Sequence, residues 1–240
     1  MDLHIHTCLS PCGDLSMLPT AVVERARQAG LDAIGICDHN TAGNVSAVQE
    51  AGRRRGLPVL GGMEITTAEE VHVLALFDRL EDLQRLESLV REHLSGDNDP
   101  EAWGEQILVD ADDEPVGIEE RLLTGAVGLG IHRIVGEIRA LGGLAVAAHV
   151  DKPVFSVVSQ LGFVPPELPL DAAELSAHHG DRNEYLGWGL PLLTFSDAHF
   201  LEEIGRSRTL LRAHEGTVEE LRLALQGRDG RSVAMRAAEE

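Results

Sequence analysis

Lysine is almost missing from this chain. Lys152 is its only one, and 20 basic residues stand against 40 acidic ones, for a net charge of −20. A surface of that sign argues against a protein that coats nucleic acid, because phosphate backbones are gripped by stripes of Lys and Arg. It leaves open a short oligonucleotide or a phosphomonoester held by metal ions, whose charge reverses the local field. Aromatic residues make up only 3% of the chain, which leaves few platforms for base stacking. The cysteines are three, Cys8, Cys12 and Cys37. An odd count at that spacing fits no disulfide scaffold and points to a reducing compartment. No apolar run approaches the ~18 residues of a membrane span, and the first strand pattern begins at residue 2, where a leader would stand. A cytoplasmic protein without a membrane partner is the expectation.

What is present is alternation. Apolar or β-branched runs at 2–6, 33–37, 58–64, 71–77, 143–148, 172–175, 192–196 and 207–212 read as strands. Between them lie helical patterns at 19–29, 43–55, 80–94, 131–141 and 217–226. Pro19 suits an early helical position and Gly56 a helix stop. Strand-helix alternation of this kind means βαβ units and a parallel sheet. At 240 residues and 43% hydrophobic, one α/β barrel domain over 1–240 is the natural size. Residues 95–130 break the rhythm and read as an insertion, with a small hairpin around the acidic run Asp110–Glu114.

Nine candidate metal ligands fall at or near the ends of the apolar runs: His4, His6, Asp14, His39, Glu64, His72, His149, Asp197 and His199. Burying an imidazole or carboxylate is costly unless charge or hydrogen bonds compensate it. A multinuclear metal centre compensates all of them at once. Side chains two apart on a strand share a face, so His4 and His6 project together, and Asp197 with His199 repeats the arrangement near the other end of the chain. Closing a barrel makes its first and last strands neighbours and brings the two pairs together. Glu64, after Gly61-Gly62-Met63, suits a carboxylate bridging two cations. Asp38, beside His39, reads equally as the acceptor fixing a ligand tautomer or as a loop carboxylate. Gly13 frees the backbone to aim Asp14 inward.

The ordered motifs Asp2-Leu3-His4-Ile5-His6-Thr7, Asp38-His39, Gly62-Met63-Glu64, His72, His149 and Asp197-Ala198-His199 resemble the PHP family, named for polymerase and histidinol phosphatase. The likeness covers nearly the whole chain. It implies a distorted (β/α)7 barrel with a metal cleft at the C-terminal ends of the strands, and phosphoester hydrolysis at a trinuclear site. Carried over by motif, one ion takes His4, His6, Glu64 and Asp197. A second shares Glu64 with His72 and His149. A third takes Asp14, His39 and His199. The chain departs from the usual pattern in the longer spacing before Asp14 and in Val150, which stands after His149 where many relatives have Pro.

The resemblance implies a metal-dependent phosphoesterase in which metal-activated hydroxide attacks phosphorus in line with the leaving oxygen. Two or three divalent ions are expected. Mixed imidazole and carboxylate ligands suit Zn, Mn or Fe. Arg206, with its planar fork, and Lys152 are the candidate phosphate-holding cations, and His179 is a candidate general acid. An amidohydrolase would need a lysine at a middle strand, and Lys152 lies past His149 instead. A non-catalytic regulatory or scaffolding PHP domain is the other alternative, and the complete ligand set weighs against it. Acidic charge and scarce aromatics tilt the expected substrate towards a small phosphorylated compound, with no extended nucleic-acid surface. Oligomeric state is not legible.

Overall fold

The computed structural model describes residues 1–178 and 182–234. Its elements, in chain order, are β1 (Asp2–Ile5), α1 (Pro19–Gln28), β2 (Ile34–Ile36), α2 (Val45–Arg55), β3 (Val59–Thr66), β4 (His72–Phe77), α3 (Leu80–His93), α4 (Pro100–Trp103), β5 (Ile107–Val109), β6 (Pro115–Ile118), α5 (Ile131–Ala140), β7 (Leu144–Ala147), α6 (Val157–Leu161), β8 (Ala172–Leu175), β9 (Leu192–Thr194), β10 (Leu210–Arg212), α7 (Val218–Leu225) and β11 (Ser232–Ala234). Two short 3-10 turns lie at Arg182–Trp188 and Leu201–Glu203. Among the described residues no helix is long and apolar enough to cross a membrane.

Seven strands form one sheet in the order β1-β2-β3-β4-β7-β8-β9. The sheet curls until its ends nearly meet. Ile5 bridges Ala198 in parallel, the His6 amide donates to the Ala198 carbonyl at 3.0 Å, and the Ala198 amide donates to the His4 carbonyl at 3.2 Å. This is the distorted seven-stranded α/β barrel expected from the motifs.

One strand runs the other way. β4 is antiparallel to both β3 and β7. The reason is length: only residues 67–71 separate β3 from β4, too few for a crossover helix, so the pair forms a hairpin. The expectation of an all-parallel sheet is corrected here. The reversal has a consequence for the site. His72 is the first residue of β4, and in an antiparallel strand that end sits at the same rim as the C-terminal ends of the parallel strands. The expected strand at 207–212 also lies elsewhere: β10 pairs with β11 in a separate two-stranded sheet.

Two apolar layers follow from strand alternation. Ile34, Ile36, Met63, Ile65, Val73 and Ala75 face outward and pack with the buried stripes of the helices, such as Leu83, Leu86 and Val90 of α3 and Ile131, Ile134, Val135 and Ile138 of α5. The opposite face of the same strands carries Leu60, Leu74, Leu76, Leu144, Val146 and Phe195, joined by Val218 and Leu221 of α7. Continuing that inner face, four residues from Leu60 and two from Leu74, Ala172 and Phe195, reaches Glu64 on β3, His72 on β4, Glu174 on β8 and Asp197 after β9. An apolar floor therefore lies directly beneath a polar rim. Gly62 is tight within it, since a Cβ there would lie 2.6 Å from the Cys37 Sγ and 2.9 Å from Leu76.

Residues 95–130 contain α4 and the antiparallel pair β5 and β6. Two asparagines tie the segment to the barrel. Asn44 Nδ2 donates to the Ile107 carbonyl at 3.1 Å, and its Oδ1 accepts from the Val109 amide at 3.0 Å. Asn40 Nδ2 donates to the carbonyls of Leu123 and Gly125 at 2.7 and 2.8 Å, while its Oδ1 accepts from the Thr66 amide at 3.1 Å.

Leu74 is fully buried in the inner layer and pairs in register with Glu64. Leu74→Ala leaves a cavity under the rim and is expected to lower unfolding stability by about 2–5 kcal/mol in urea titration. A loss below about 1 kcal/mol would contradict the packed floor.

Candidate metal centre

Glu64 is the centre of the rim. It is buried, and five imidazoles surround its carboxylate. Oε1 lies 2.8 Å from His72 Nδ1 and 3.0 Å from His149 Nε2. Oε2 lies 3.1 Å from His39 Nδ1, 3.3 Å from His6 Nε2 and 3.4 Å from His4 Nε2. Each oxygen thus faces a different set of rings, the arrangement of a carboxylate able to bridge two cations.

His4 and His6 are presented by β1 and the residue after it, two apart on one face. Both are fully buried. His4 Nδ1 faces both oxygens of Glu174, at 3.1 and 3.0 Å. His6 Nδ1 lies 2.9 Å from Ser10 Oγ, whose hydroxyl donates to Asp38 Oδ1 at 2.7 Å. With its proton given to Asp38, Ser10 can only accept from His6. Both histidines therefore carry a proton on Nδ1 and turn Nε2 inward. Those two nitrogens lie 3.2 Å apart, and each lies within 3.3 Å of Asp197 Oδ1. Two imidazole nitrogens and a carboxylate oxygen converging on one point are a donor set that a proton or a cation can satisfy.

His39 follows β2 and forms an isolated bridge with Glu64. His149 lies two residues past β7 and Asp197 three past β9, both in the left-handed region, with φ of +28° and +52°. That conformation is uncommon for residues with a side chain, and it is concentrated here where the chain turns off the strand ends. His199 Nδ1 faces the Asp197 carbonyl at 2.9 Å, and its ring stacks on His6 at 4.2 Å between centroids.

Protonation is divided accordingly. Burial opposes charge on His4, but Glu174, Asp197 and Glu64 outweigh it and hold its pKa well above the ordinary value. Burial is outweighed likewise at His6 by hydrogen bonds to Asp197 and Glu64, which raise it to about 9. Burial drives His39 well below its ordinary value, with the rings of His6, His72 and His199 adding to the effect. Burial and His6 lower His199 to about 4. Burial works against ionisation of Glu64, and the surrounding histidines overcome it. Among the described residues, the buried Nδ1 atoms of His39 and His149 have no hydrogen-bond partner.

The residues fit metal ions. Three groups have ligand atoms within 4.8 Å of one another: His4, His6, Glu64 and Asp197; His39, Glu64 and His72; and His6, His39 and His199. His149 joins them through Glu64. Eight of the nine expected ligands thus converge. Asp14 does not. It is exposed, and its Oδ1 accepts from the Ser16 amide at 2.8 Å. The reason lies in the preceding loop. Successive turns, with the Ser10 amide on the Thr7 carbonyl and the Gly13 amide on the Ser10 carbonyl, set the Asp14 backbone against His199 and its side chain outward. Gly13 serves close packing, because a Cβ there would meet the Thr7 carbonyl at 2.7 Å.

Above the rim lies a cleft of about 350 Å³ lined by Cys12, Lys152, His178, Asp197, His199, Phe200 and Arg206, among others. The Lys152 ammonium sits on Asp197 Oδ2. Arg206 is half-exposed, 3.6 Å from Glu203. His179 lies outside the described residues. Cys8 and Cys37 are buried and Cys12 is exposed, and burial pushes the Cys8 thiol up to about 12. Sequence reasoning gave no role to Glu174 or Ser10, nor to Asp2, which accepts from the Ser196 amide at 3.0 Å and the Gly205 amide at 2.9 Å and so holds the Asp197 turn. Glu174 was detectable by the signal that found Glu64: one carboxylate inside an apolar strand.

A phosphoribosyl 1,2-cyclic phosphate 1,2-diphosphodiesterase from Eggerthella lenta is 32% identical over 80 residues, covering 31% of this chain and 29% of its own. A 5'-3' exoribonuclease from Haemophilus influenzae is 33% identical over 82 residues, covering 32% and 29%. The chain therefore spans under a third of the length of these curated relatives. Among solved structures, endonuclease Q from Pyrococcus furiosus shares the fold with a TM-score of 0.69 at 19% identity, over 97% of this chain and 56% of that one. An endonuclease Q complex with a 27-mer duplex bearing an abasic lesion at the active site gives 0.68 at 20% identity, over 97% and 57%. The expectation of a small substrate and no nucleic-acid partner is corrected by the exoribonuclease relative and the duplex-bound structure, while the diphosphodiesterase is named for a small cyclic phosphate. Average charge and aromatic content describe the whole surface, whereas a nuclease grips its strand at the cleft. The PHP-associated family matches residues 186–229. The PHP domain itself matches residues 2–155, which carry His4, His6, His39, Glu64, His72 and His149, and the chain belongs to the PHP domain family.

Proposed function

We propose that this chain is a metal-dependent phosphoesterase of nuclease type, hydrolysing phosphodiester bonds of a nucleic-acid strand at a trinuclear site. The observation that carries the reading is the Glu64 carboxylate shared among five imidazoles beneath an open cleft. The exoribonuclease and endonuclease Q likenesses support the substrate class. The reading takes residues 1–240 as one PHP-type unit with an insertion at about 95–130, working in the cytoplasm.

His4, His6, Glu64 and Asp197 would hold one ion. Glu64, His72 and His149 would hold a second, and His6, His39 and His199 face a third position without Asp14. Zn, Mn and Fe all suit such mixed donors. When bound, divalent ions lower the pKa of water towards neutrality and offset charge on the phosphoryl oxygens. The chain's own residues supply positioning. Asp38, through Ser10, and Glu174 fix the tautomers of His6 and His4, so neither ring has to reorganise. Lys152 and Arg206 place the cleft's positive charge where the non-reacting phosphate oxygens would lie, and the Arg206 fork can hold two of them at once. The apolar floor below Glu64 keeps bulk water from the underside of the site, which strengthens every charge interaction within it.

Three measurements test this. Glu64→Gln and His4→Ala are expected to lose bound metal by elemental analysis and to cut oligonucleotide hydrolysis by about 100-fold or more. Full metal content and undiminished turnover in both would end the trinuclear proposal. Glu174→Gln should keep the fold but weaken metal affinity about 10- to 100-fold by chelator competition. An unchanged affinity would reduce Glu174 to a packing role. Arg206→Ala should weaken inhibition by inorganic phosphate about tenfold, the loss expected for one charged hydrogen-bond pair. Equal inhibition would remove Arg206 from phosphate binding.

A further inference from the structure

Five phenylalanines, two tryptophans and one tyrosine are all the aromatic side chains this chain has. Phe77 and Phe195 are spent on the core. Phe155 and Phe200 are not: they are 39% and 46% exposed. Phe155 packs on one histidine of the candidate metal centre, and Phe200 lines the cleft together with another. The Phe155 ring lies nearly parallel to that of His72, 4.7 Å between centroids and 15° between planes. Its carbonyl accepts from the His72 amide at 2.9 Å. Its backbone is held in the left-handed region, φ +57°, which a phenylalanine adopts only where the surroundings impose it. Phe200 follows His199 directly and lines the open cleft with Lys152 and Arg206. His72 and His199 both neighbour His39, at 5.3 and 6.3 Å between ring centroids.

Other apolar side chains are exposed on this surface, and exposure alone identifies nothing. Here position adds to it, because two rigid rings flank the place where a phosphodiester would sit. Every nucleobase offers a π-face, and base–aromatic stacking tolerates any sequence. Among the described residues lining the cleft, Lys152 and Arg206 are the cations, too few for a stripe of contacts along a phosphate backbone. Affinity for a strand must then come from the metal centre, the two cleft cations and contacts to the bases.

We propose that Phe155 and Phe200 are stacking platforms for the nucleobases on the two sides of the scissile phosphate. The preferred substrate is then a single-stranded or locally unstacked stretch, bound with little regard to base identity, because bases inside a regular duplex are already stacked on each other. This inference rests on the nucleic-acid reading above and specifies how that substrate is held.

The test compares wild type with Phe155→Leu and Phe200→Leu on a single-stranded oligonucleotide and on an oligomer of the same backbone made of abasic tetrahydrofuran units. Each replacement is expected to raise KM for the base-containing strand roughly tenfold, far more than it lowers kcat, and to leave KM for the abasic oligomer in place. A strand with a methylphosphonate at the cleavage position and 2-aminopurine on one side or the other gives a second readout. Wild type should quench the fluorophore, and each variant should lose the quench on one side. Phe155→Trp should restore both KM and quench, and elemental analysis guards against disturbance of His72. Unchanged KM and quench in both Leu variants, with the strand still cleaved, overturn the stacking inference alone. A wild-type enzyme that cleaves neither oligomer while hydrolysing p-nitrophenyl phosphate overturns the nucleic-acid reading and the inference with it.

Discussion

A single carboxylate, buried among five imidazoles, governs this structure. An isolated ionised Glu in a dry interior costs several kcal/mol even after relaxation. Glu64 is kept ionised because His4, His6, His39, His72 and His149 are brought to it from β1, β2, β4 and β7 or the residues just beyond them. No local segment can deliver that set. It requires a sheet that curls until strands distant in sequence share one rim. Burying Glu64 and closing the barrel are two descriptions of the same constraint. Burial and neighbouring rings drive His39 and His199 towards the neutral form, so their nitrogens stand free for a cation.

A second layer of polar residues makes the rim stiff. Ser10 and Asp38 set His6, Glu174 sets His4, Asp2 holds the turn that carries Asp197, and Asn40 links the strand end beside His39 to the inserted segment. Each buried polar group in this layer has its partner, as a low-dielectric network requires. The left-handed residues Asn40, His149, Phe155 and Asp197 lie among these same turns. Strain of order 1–3 kcal/mol at each such position persists only where the surrounding bonds over-determine the backbone. Local strain and tight hydrogen bonding are thus the two sides of a pre-organised site.

Bulk properties describe the whole surface and not the cleft. Few aromatics and a large negative charge argued for a small ligand, yet the relatives include nucleases. Composition averages over a surface of which the cleft is a small part. Lys152 and Arg206 line that cleft, and two of the five phenylalanines flank the metal centre. Where a few residues sit outweighs how many there are.

The eight converging histidine and acidic side chains and the strand-helix rhythm were legible in the primary structure. The reason is local: a His, Asp or Glu ending an apolar run is costly wherever that run folds, and the period of two assigns it a face. What the chain order could not decide was non-local. The reversal of β4 follows from a five-residue link whose hairpin outcome depends on both neighbouring strands. The outward turn of Asp14 depends on how tightly its loop packs against Thr7 and His199. The partnership of Glu174 with His4 joins residues 170 positions apart. The placement of Phe155 on His72 and of Phe200 in the cleft with Lys152 joins parts of the chain that lie far apart in sequence. Desolvation cost is written residue by residue, whereas closure is a property of the whole sheet, and only the tertiary structure decides it.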